Sequence, residues 1–395
     1  MKKLYCFSLV VLLSLLLYPI AGFSQQQEGD TITYKTLIPE IKQGLLKNMS
    51  MIANMNFAER NEFVDGDYTG SKFKMEQFRL EFKGYVHDKV YFRFRDRYTR
   101  AQTSESVDNL SRSVDLAFIR VDASKKLSFT IGKMCAAWGG FEFDYNPIDI
   151  YEYSDIIEMA DNFLTGVGAT YQANKNQSFT LQVLDSRTKT FEELYGEQPN
   201  YTEAQAPLAF VANWTGSLFD GKLKTMWGYA LHTEAENTFM NYLALGQELT
   251  LGKFVIAYDF KLSNEDLDRT GIVSATVPDS LYPWALEDTE YIGHWMHLHY
   301  RLNDKVNLSL IGMMDIANWQ NDDLDPLKTD NHIRTAWGYI PSVEYYPWKD
   351  LNLKFFVNVI GRIYDYSDYA TSRFGANDYD TARFTIGFAS PLGIF

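Results

Sequence analysis

The chain has 395 residues, 46% hydrophobic and 15% aromatic, with 26 Tyr and 27 Phe, enough for two ordinary domains or one large barrel. Its formal net charge of −14 excludes a nucleic-acid partner, because phosphate binding needs a basic surface and no basic tail or lysine cluster supplies one. With two cysteines, Cys6 and Cys135, it is not a disulfide scaffold.

Residues 1–24 read as a signal peptide. Lys2 and Lys3 precede an apolar run from Leu4 to Phe23, Ser24 offers a small residue for cleavage, and no stop-transfer flank follows. Cys6 lies early in the run rather than at its end, which argues against lipid modification. Removal deletes two lysines and no acids, so the formal charge becomes about −16. Cys135 is then left alone, and the exported chain is held by hydrogen bonds and packing. Residues 25–46, with "TLIPEIKQGLLKN" at their end, read as a periplasmic N-terminal extension, and 47–395 as one further domain.

Beyond residue 24 no apolar stretch has the length of a spanning helix. The chain instead repeats about ten residues of alternating character followed by a turn. "QFRLEFKGYV" (77–86) places Phe78, Leu80, Phe82, Gly84 and Val86 on one face, with Gln77, Arg79, Glu81, Lys83 and Tyr85 on the other. "VYFRFRDRYTR" (90–100) sets Val90, Phe92 and Phe94 against Arg93, Arg95 and Arg97. "KFVIAYDFKL" (253–262) and "LNLKFFVNVIGRI" (351–363) alternate in the same way.

Connection lengths alternate too. Tight turns are expected at 87–89, 123–126, 173–176, 218–221, 251–252, 303–305 and 348–350. Between them lie mostly longer polar segments: 101–112, 135–162, 186–207, 264–289, 318–331 and 365–378. The pattern predicts an all-β fold: a transmembrane antiparallel β-barrel of about sixteen strands, with short periplasmic turns and long external loops, in the Gram-negative outer membrane. A soluble β-sandwich also alternates, but this many strands would leave open edges needing cover, and a closed sheet has none. Tyr98, Trp214, Trp227, Trp337 and Tyr345 suit interfacial girdles. Phe395 ends the chain as outer-membrane barrels commonly end, on an aromatic read by the assembly machinery. Phe384, Ile386 and Phe388 share a parity that Phe395 does not, so a bulge is expected near Ser390–Pro391.

In such a barrel the charged faces point into the lumen. Arg79, Lys83, Arg93, Arg95, Arg97, Lys222, Lys224, Lys354 and Arg362 are then candidate pore-lining cations, a basic track in an acidic protein. Adjacent arginines ~6.6 Å apart repel by about 0.6 kcal/mol in water and far more in a dry interior, so the row requires a wet lumen. The alternative is a structural ladder paired with Glu81, Asp115 and the acids of a folded-in loop. Asp96 breaks parity and calls for an interfacial position or a local bulge. Acids in 264–289 (Glu265, Asp266, Asp268, Asp279, Glu287, Asp288) and in 318–331 (Asp322, Asp323, Asp325, Asp330) are expected in solvated external loops.

Motifs for chemistry are thin. His297 and His299 share a strand face at a chelating spacing, but no third ligand is near, and a plain lumen pair is the simpler reading. "QNDDLDPL" lacks the glycine and closing Glu of a calcium loop. No catalytic constellation, metal site or cofactor is expected, and the protein is not read as an enzyme.

From "FRLEFKGYVHDKVYFRFRDRY" through "VDLAFIRVDASKKLSFTIGKMCAAWGGFEF" the chain resembles the phosphate-selective porin O and P family. The resemblance implies a homotrimer of sixteen-stranded barrels, an inward-folded third loop, and lysines and arginines that guide anions. It places the constriction loop at "CAAWGGFEFDYNPIDIYEYSD", with Trp138, Phe141, Asp144, Tyr145 and Asp149 as its candidate residues. The departure from the phosphate-binding pattern is the absence of Lys and Arg between Met134 and Asp155. The expected function is passive diffusion of small hydrophilic solutes, with anions, phosphate among them, favoured by the basic lumen. The alternative is a plugged barrel serving as a binding or structural platform or an adhesin.

Overall fold

The computed structural model describes residues 48–100, 107–321 and 325–394. The expected signal peptide, the periplasmic extension and Phe395 lie outside the described residues. Within them the chain forms β1 (Met49–Val64), β2 (Asp67–His87), β3 (Val90–Arg97), β4 (Val114–Asp122), β5 (Leu127–Cys135), β6 (Phe163–Asn174), β7 (Gln177–Asp185) and β8 (Leu208–Leu218). Then follow β9 (Leu223–Ala235), β10 (Thr238–Leu251), β11 (Phe254–Leu267), β12 (Glu287–Arg301), β13 (Val306–Trp319), β14 (His332–Tyr345), β15 (Lys354–Tyr366) and β16 (Tyr379–Gly393). Each strand pairs with its sequence neighbour, and β1 pairs with β16, so the sheet closes into a sixteen-stranded antiparallel barrel. Closure pairs the backbone groups of every strand on both sides, the condition for standing in lipid.

All seven expected tight turns join consecutive strands at one end. The opposite end holds the long connections together with two short hairpins outside the expected set, after β1 and after β9. The first turns on Asp65–Gly66, with φ of 51° and 82°, the left-handed pair that Asp-Gly favours.

Side chains obey the alternation. Ile131, Val167, Leu181, Phe254, Val343 and Ile386 stand exposed on the outer wall, while Arg95, Asp259, Lys261, Lys354 and Arg362 are buried inside. An apolar exterior around a charged interior inverts the soluble pattern and marks a barrel whose outside is solvated by lipid. The interior also holds apolar clusters. One packs Trp138, Met240, Tyr242, Leu286, Trp319 and Ile333; another packs Phe141, Ile150, Trp295, Ile311 and Ile340. Burying each such large side chain is worth about 1.5–3 kcal/mol.

Two local expectations change and a third is met. The β1–β16 ladder runs without a register shift from Ile52↔Gly393 to Val64↔Thr381, so Ser390–Pro391 forms no bulge; Pro391 lies past the last β15 partner, which is Lys354↔Ala389. The local bulge expected at Asp96 is present: the β3–β4 register shifts between Arg95 and Asp96, and Asp115 is the extra residue. Finally, β11 extends to Leu267 and β12 starts at Glu287, so Glu265, Asp266, Glu287 and Asp288 are strand residues rather than parts of a loop. Glu265, Asp268 and Asp325 are buried, and each is satisfied locally.

Candidate functional site

The connection between β5 and β6, residues 136–162, lies inside the barrel. It enters through Gly139 and Gly140, at φ of 89° and 85°, which rest on the wall backbone. A Cβ on Gly139 would stand 2.6 Å from Gly228 N, and one on Gly228 only 2.1 Å from Trp138 O. Only glycine permits this contact from both sides. Gly140 N donates to Met226 O at 3.0 Å, and the Phe141 and Glu142 amides donate to the Asp259 carboxylate at 2.9 and 2.8 Å. These bonds start the short helix α1 (Phe141–Asp144). Lys261 pairs with Glu142, both fully buried, and also donates to Ser154 Oγ at 2.8 Å.

Further along, Tyr145 donates to Glu248 at 2.8 Å and Tyr151 to Glu344 at 2.7 Å. Lys354 bridges Asp149 at 2.8 Å and Glu344 at 2.7 Å. Arg362 bridges Asp155 at 2.5 Å and Asp315 at 3.3 Å, and Arg334 also pairs with Asp155. Asp155 opens α2 (Asp155–Met159). Asn56 on β1 donates to Ile148 O at 3.1 Å, and Arg383 on β16 pairs with Glu152 at 3.0 Å. The loop therefore spans the interior from the β9–β11 wall to the strands that close the barrel.

The opposite wall is basic. Across β2 and β3, Arg79 faces Arg97, Glu81 faces Arg95 and Lys83 faces Arg93. Glu81 takes Arg93 at 3.1 Å, Lys83 at 3.1 Å and Arg95 at 3.9 Å. The bulge turns Asp115 inward to take Arg97 at 2.7 Å, Arg95 at 3.2 Å and Arg79 at 3.6 Å. Phe163 lies under the Arg95 and Arg97 guanidiniums at 5.2 and 5.7 Å. Five cations share two carboxylates, a formal excess of three positive charges. The track and the paired ladder are thus one arrangement. Lys83 and Arg93 side chains remain 34% and 33% exposed, so they face the open space, whereas Arg79 at 3% serves the pairing.

Arg79, Lys83, Arg93, Arg95 and Arg97 line one cavity of about 850 Å³ together with Trp138, Asp144 and Tyr145 from the loop. Lys224 lines a second, toward the short-turn end, where it pairs with Glu248 at 2.8 Å. Lys354 and Arg362 point inward, but their charges are taken up in holding the loop. Trp138 and Phe141 are packing anchors: the indole stacks on His232 at 5.0 Å, and the phenyl ring belongs to the interior cluster around Trp295. Lys222 departs from expectation. It completes the turn between β8 and β9, donating to Phe219 O at 3.2 Å, and is exposed at the barrel mouth rather than in the lumen. Phe219 and Asp220, at positive φ, end the strand alternation on which its placement rested.

Sequence reasoning missed the cavity on the long-loop side, lined by Arg60, Arg334, Arg362 and Arg383. Arg334 and Arg383 each stand on a strand face whose parity was readable. This outer cavity shares Arg97, Tyr153 and Glu158 with the basic one, which in turn shares Asp144 and Tyr145 with the cavity around Lys224. Three neighbouring spaces with shared lining residues thus follow one another from the long-loop side to the short-turn end. The loop carboxyls of Glu158 and Asp144 are held above the ordinary carboxylate value, first by lost hydration inside the barrel, then by Glu152 and Glu248 respectively. His297 and His299 stack at 5.9 Å, with Ser309 at 2.8 Å from His297. Among the described residues no group of three His, Cys, Asp or Glu could hold a metal.

Residues 53–389 match the family described as "Phosphate-selective porin O and P". No curated protein matches the chain by sequence. Among solved structures, the outer membrane channel DcaP of Acinetobacter baumannii aligns with TM-score 0.57 at 10% identity, over 86% of this chain and 96% of that one. An anion-selective porin from Comamonas acidovorans aligns with TM-score 0.54 at 8% identity, over 87% and 99%. OmpT of Vibrio cholerae aligns with TM-score 0.54 at 10% identity, over 87% and 97%. At such identities these likenesses establish a shared barrel fold.

Proposed function

The chain belongs to the phosphate-selective porin O and P family, and from that premise we propose that it is an outer-membrane diffusion pore for small hydrophilic solutes, selective for anions and assembled as a homotrimer. The observation that carries the reading is the β2–β3 wall of the central cavity, where five cations meet two carboxylates, an excess of three positive charges. A fixed cation surplus in a narrow, partly dehydrated passage lowers the barrier for anions and raises it for cations. Pairing with Glu81 and Asp115 holds the row in place, so the field is preorganised rather than assembled around each solute. Phosphate is one candidate solute. The resemblance of the anion-selective porin in fold is compatible with this reading but does not carry it.

The extent to which residues 136–162 are fastened inside favours a second reading, a plugged barrel acting as a platform for binding or structure. Conductance of the purified protein in planar bilayers separates the two. A pore gives discrete steps and, in a KCl gradient, a reversal potential on the chloride side. A potassium-side potential refutes anion preference, and no conductance at all supports the plugged barrel.

A further inference from the structure

We propose that the favoured solutes are organic anions with an apolar, ring-sized body beside the charge, rather than compact inorganic anions such as phosphate. The inference rests on the anion-pore reading and adds the solute's shape and chemistry to it. Its basis is the two-sided character of the central cavity of about 850 Å³. One side is the guanidinium wall of β2 and β3. The facing side is contributed by the 136–162 loop, which brings Phe143, Tyr145 and Tyr153 to the cavity and carries no Lys or Arg between Met134 and Asp155.

A phosphate ion presents oxygens in every direction, and each one deprived of water needs a donor. Here the charged donors come from one side only. The other side offers the aromatic side chains of Phe143, Tyr145 and Tyr153 and the carboxylates of Asp144 and Glu158, which repel phosphate oxygens. A carboxylate on a ring meets both sides: its two oxygens turn toward the arginines while the ring lies along the aromatic residues. Bidentate guanidinium–carboxylate geometry and ring stacking then act together.

The wall has donors to spare for such a ligand. After pairing with Glu81, the Lys83 and Arg93 side chains remain 34% and 33% exposed, so their remaining N–H groups can meet a carboxylate in the cavity. Phe163 already stacks with the guanidiniums of Arg95 and Arg97 in this cavity, so ring and cation surfaces lie side by side before any solute enters.

The test measures block of the chloride current through the purified protein in planar bilayers by benzoate, acetate and inorganic phosphate. Benzoate should half-block at a concentration about tenfold below either of the others, a difference of about 1.4 kcal/mol. Combining Phe143→Ala with Tyr153→Ala should bring the benzoate value to within about twofold of acetate. Equal block by all three anions, or tighter block by phosphate, overturns the proposal while leaving an anion pore in place. A potassium-side reversal potential in the same membranes overturns the underlying reading instead. Should the double variant fail to insert, the wild-type ratio alone decides.

Discussion

Replacing Arg93, Arg95 and Arg97 together by Gln should abolish the charge surplus of the central wall. Each carboxylate keeps a cation in the triple variant: Glu81 retains Lys83 at 3.1 Å, and Asp115 retains Arg79 at 3.6 Å. The wall then becomes formally neutral without leaving a buried charge alone. An anion ~7 Å from one guanidinium gains about 0.6 kcal/mol in water, which 0.1 M salt halves to about 0.3. Three such charges contribute about 0.9 kcal/mol, roughly a fivefold change in local anion concentration. Cations feel the opposite effect, so the anion-to-cation permeability ratio should fall about twentyfold. The low-dielectric wall makes these figures a lower bound. The assay is the reversal potential across a tenfold KCl gradient, with the folded, heat-modifiable band on gels as the control for barrel integrity. Wild type should lie toward the chloride equilibrium potential and the variant near zero. An unchanged potential would refute the argument that these three side chains set selectivity.

The anchoring of the loop is testable at Gly228: a Val side chain there collides with the Trp138 carbonyl, whose oxygen lies 2.1 Å from the first added carbon. Gly228→Val should therefore displace the loop and raise single-channel conductance, and an unaltered conductance would show that the loop does not narrow the pore. Lys261→Met leaves buried Glu142 without its cation at a cost of about 3–5 kcal/mol, so protease should cut within 136–162 faster than in wild type; equal rates would mean that the pair does not hold the loop. In a Cys135→Ser background, a membrane-impermeant thiol reagent should label Lys224→Cys at least about tenfold faster than Phe254→Cys, since these positions face lumen and lipid. Comparable rates would contradict the assignment of faces. Acidification should strengthen anion preference: the raised Glu158 and Asp144 carboxyls take up protons as pH falls from neutrality toward their titration range, removing negative charge while the arginines stay charged. A ratio that falls or stays constant as pH is lowered from neutrality through the carboxylate range would count against their facing the permeation path.

Strand faces were readable because lipid and lumen impose opposite demands on successive residues; 77–86 and 253–262 show the contrast over their whole length. The hairpin at Asp65–Gly66 is harder to read, although Asp-Gly is a strong turn signal, because Phe73 and Met75 have the opposite parity to Phe78 and Leu80, the strand shifting register at a bulge near Glu76. Partners across the barrel were harder still. Glu81 and Asp115 were named as possible counter-ions of the arginine row, yet the bulge that turns Asp115 inward depends on pairing register, which one strand's sequence does not specify. The ties between Glu142 and Lys261, 119 residues apart, or between Tyr151 and Glu344, 193 apart, arise only when the barrel closes. The sequence likewise showed aromatic residues in the loop but not that Trp138 and Phe141 would be spent on packing while Phe143 and Tyr153 reach the cavity.

The loop's grip on both Asn56 of β1 and Arg383 of β16 bears on how the barrel is closed. Those two strands form the seam, the one junction whose partners come from opposite ends of the chain. The closed seam and the seated loop therefore share residues: Asn56 and Arg383 belong to the β1–β16 junction and also hold the loop.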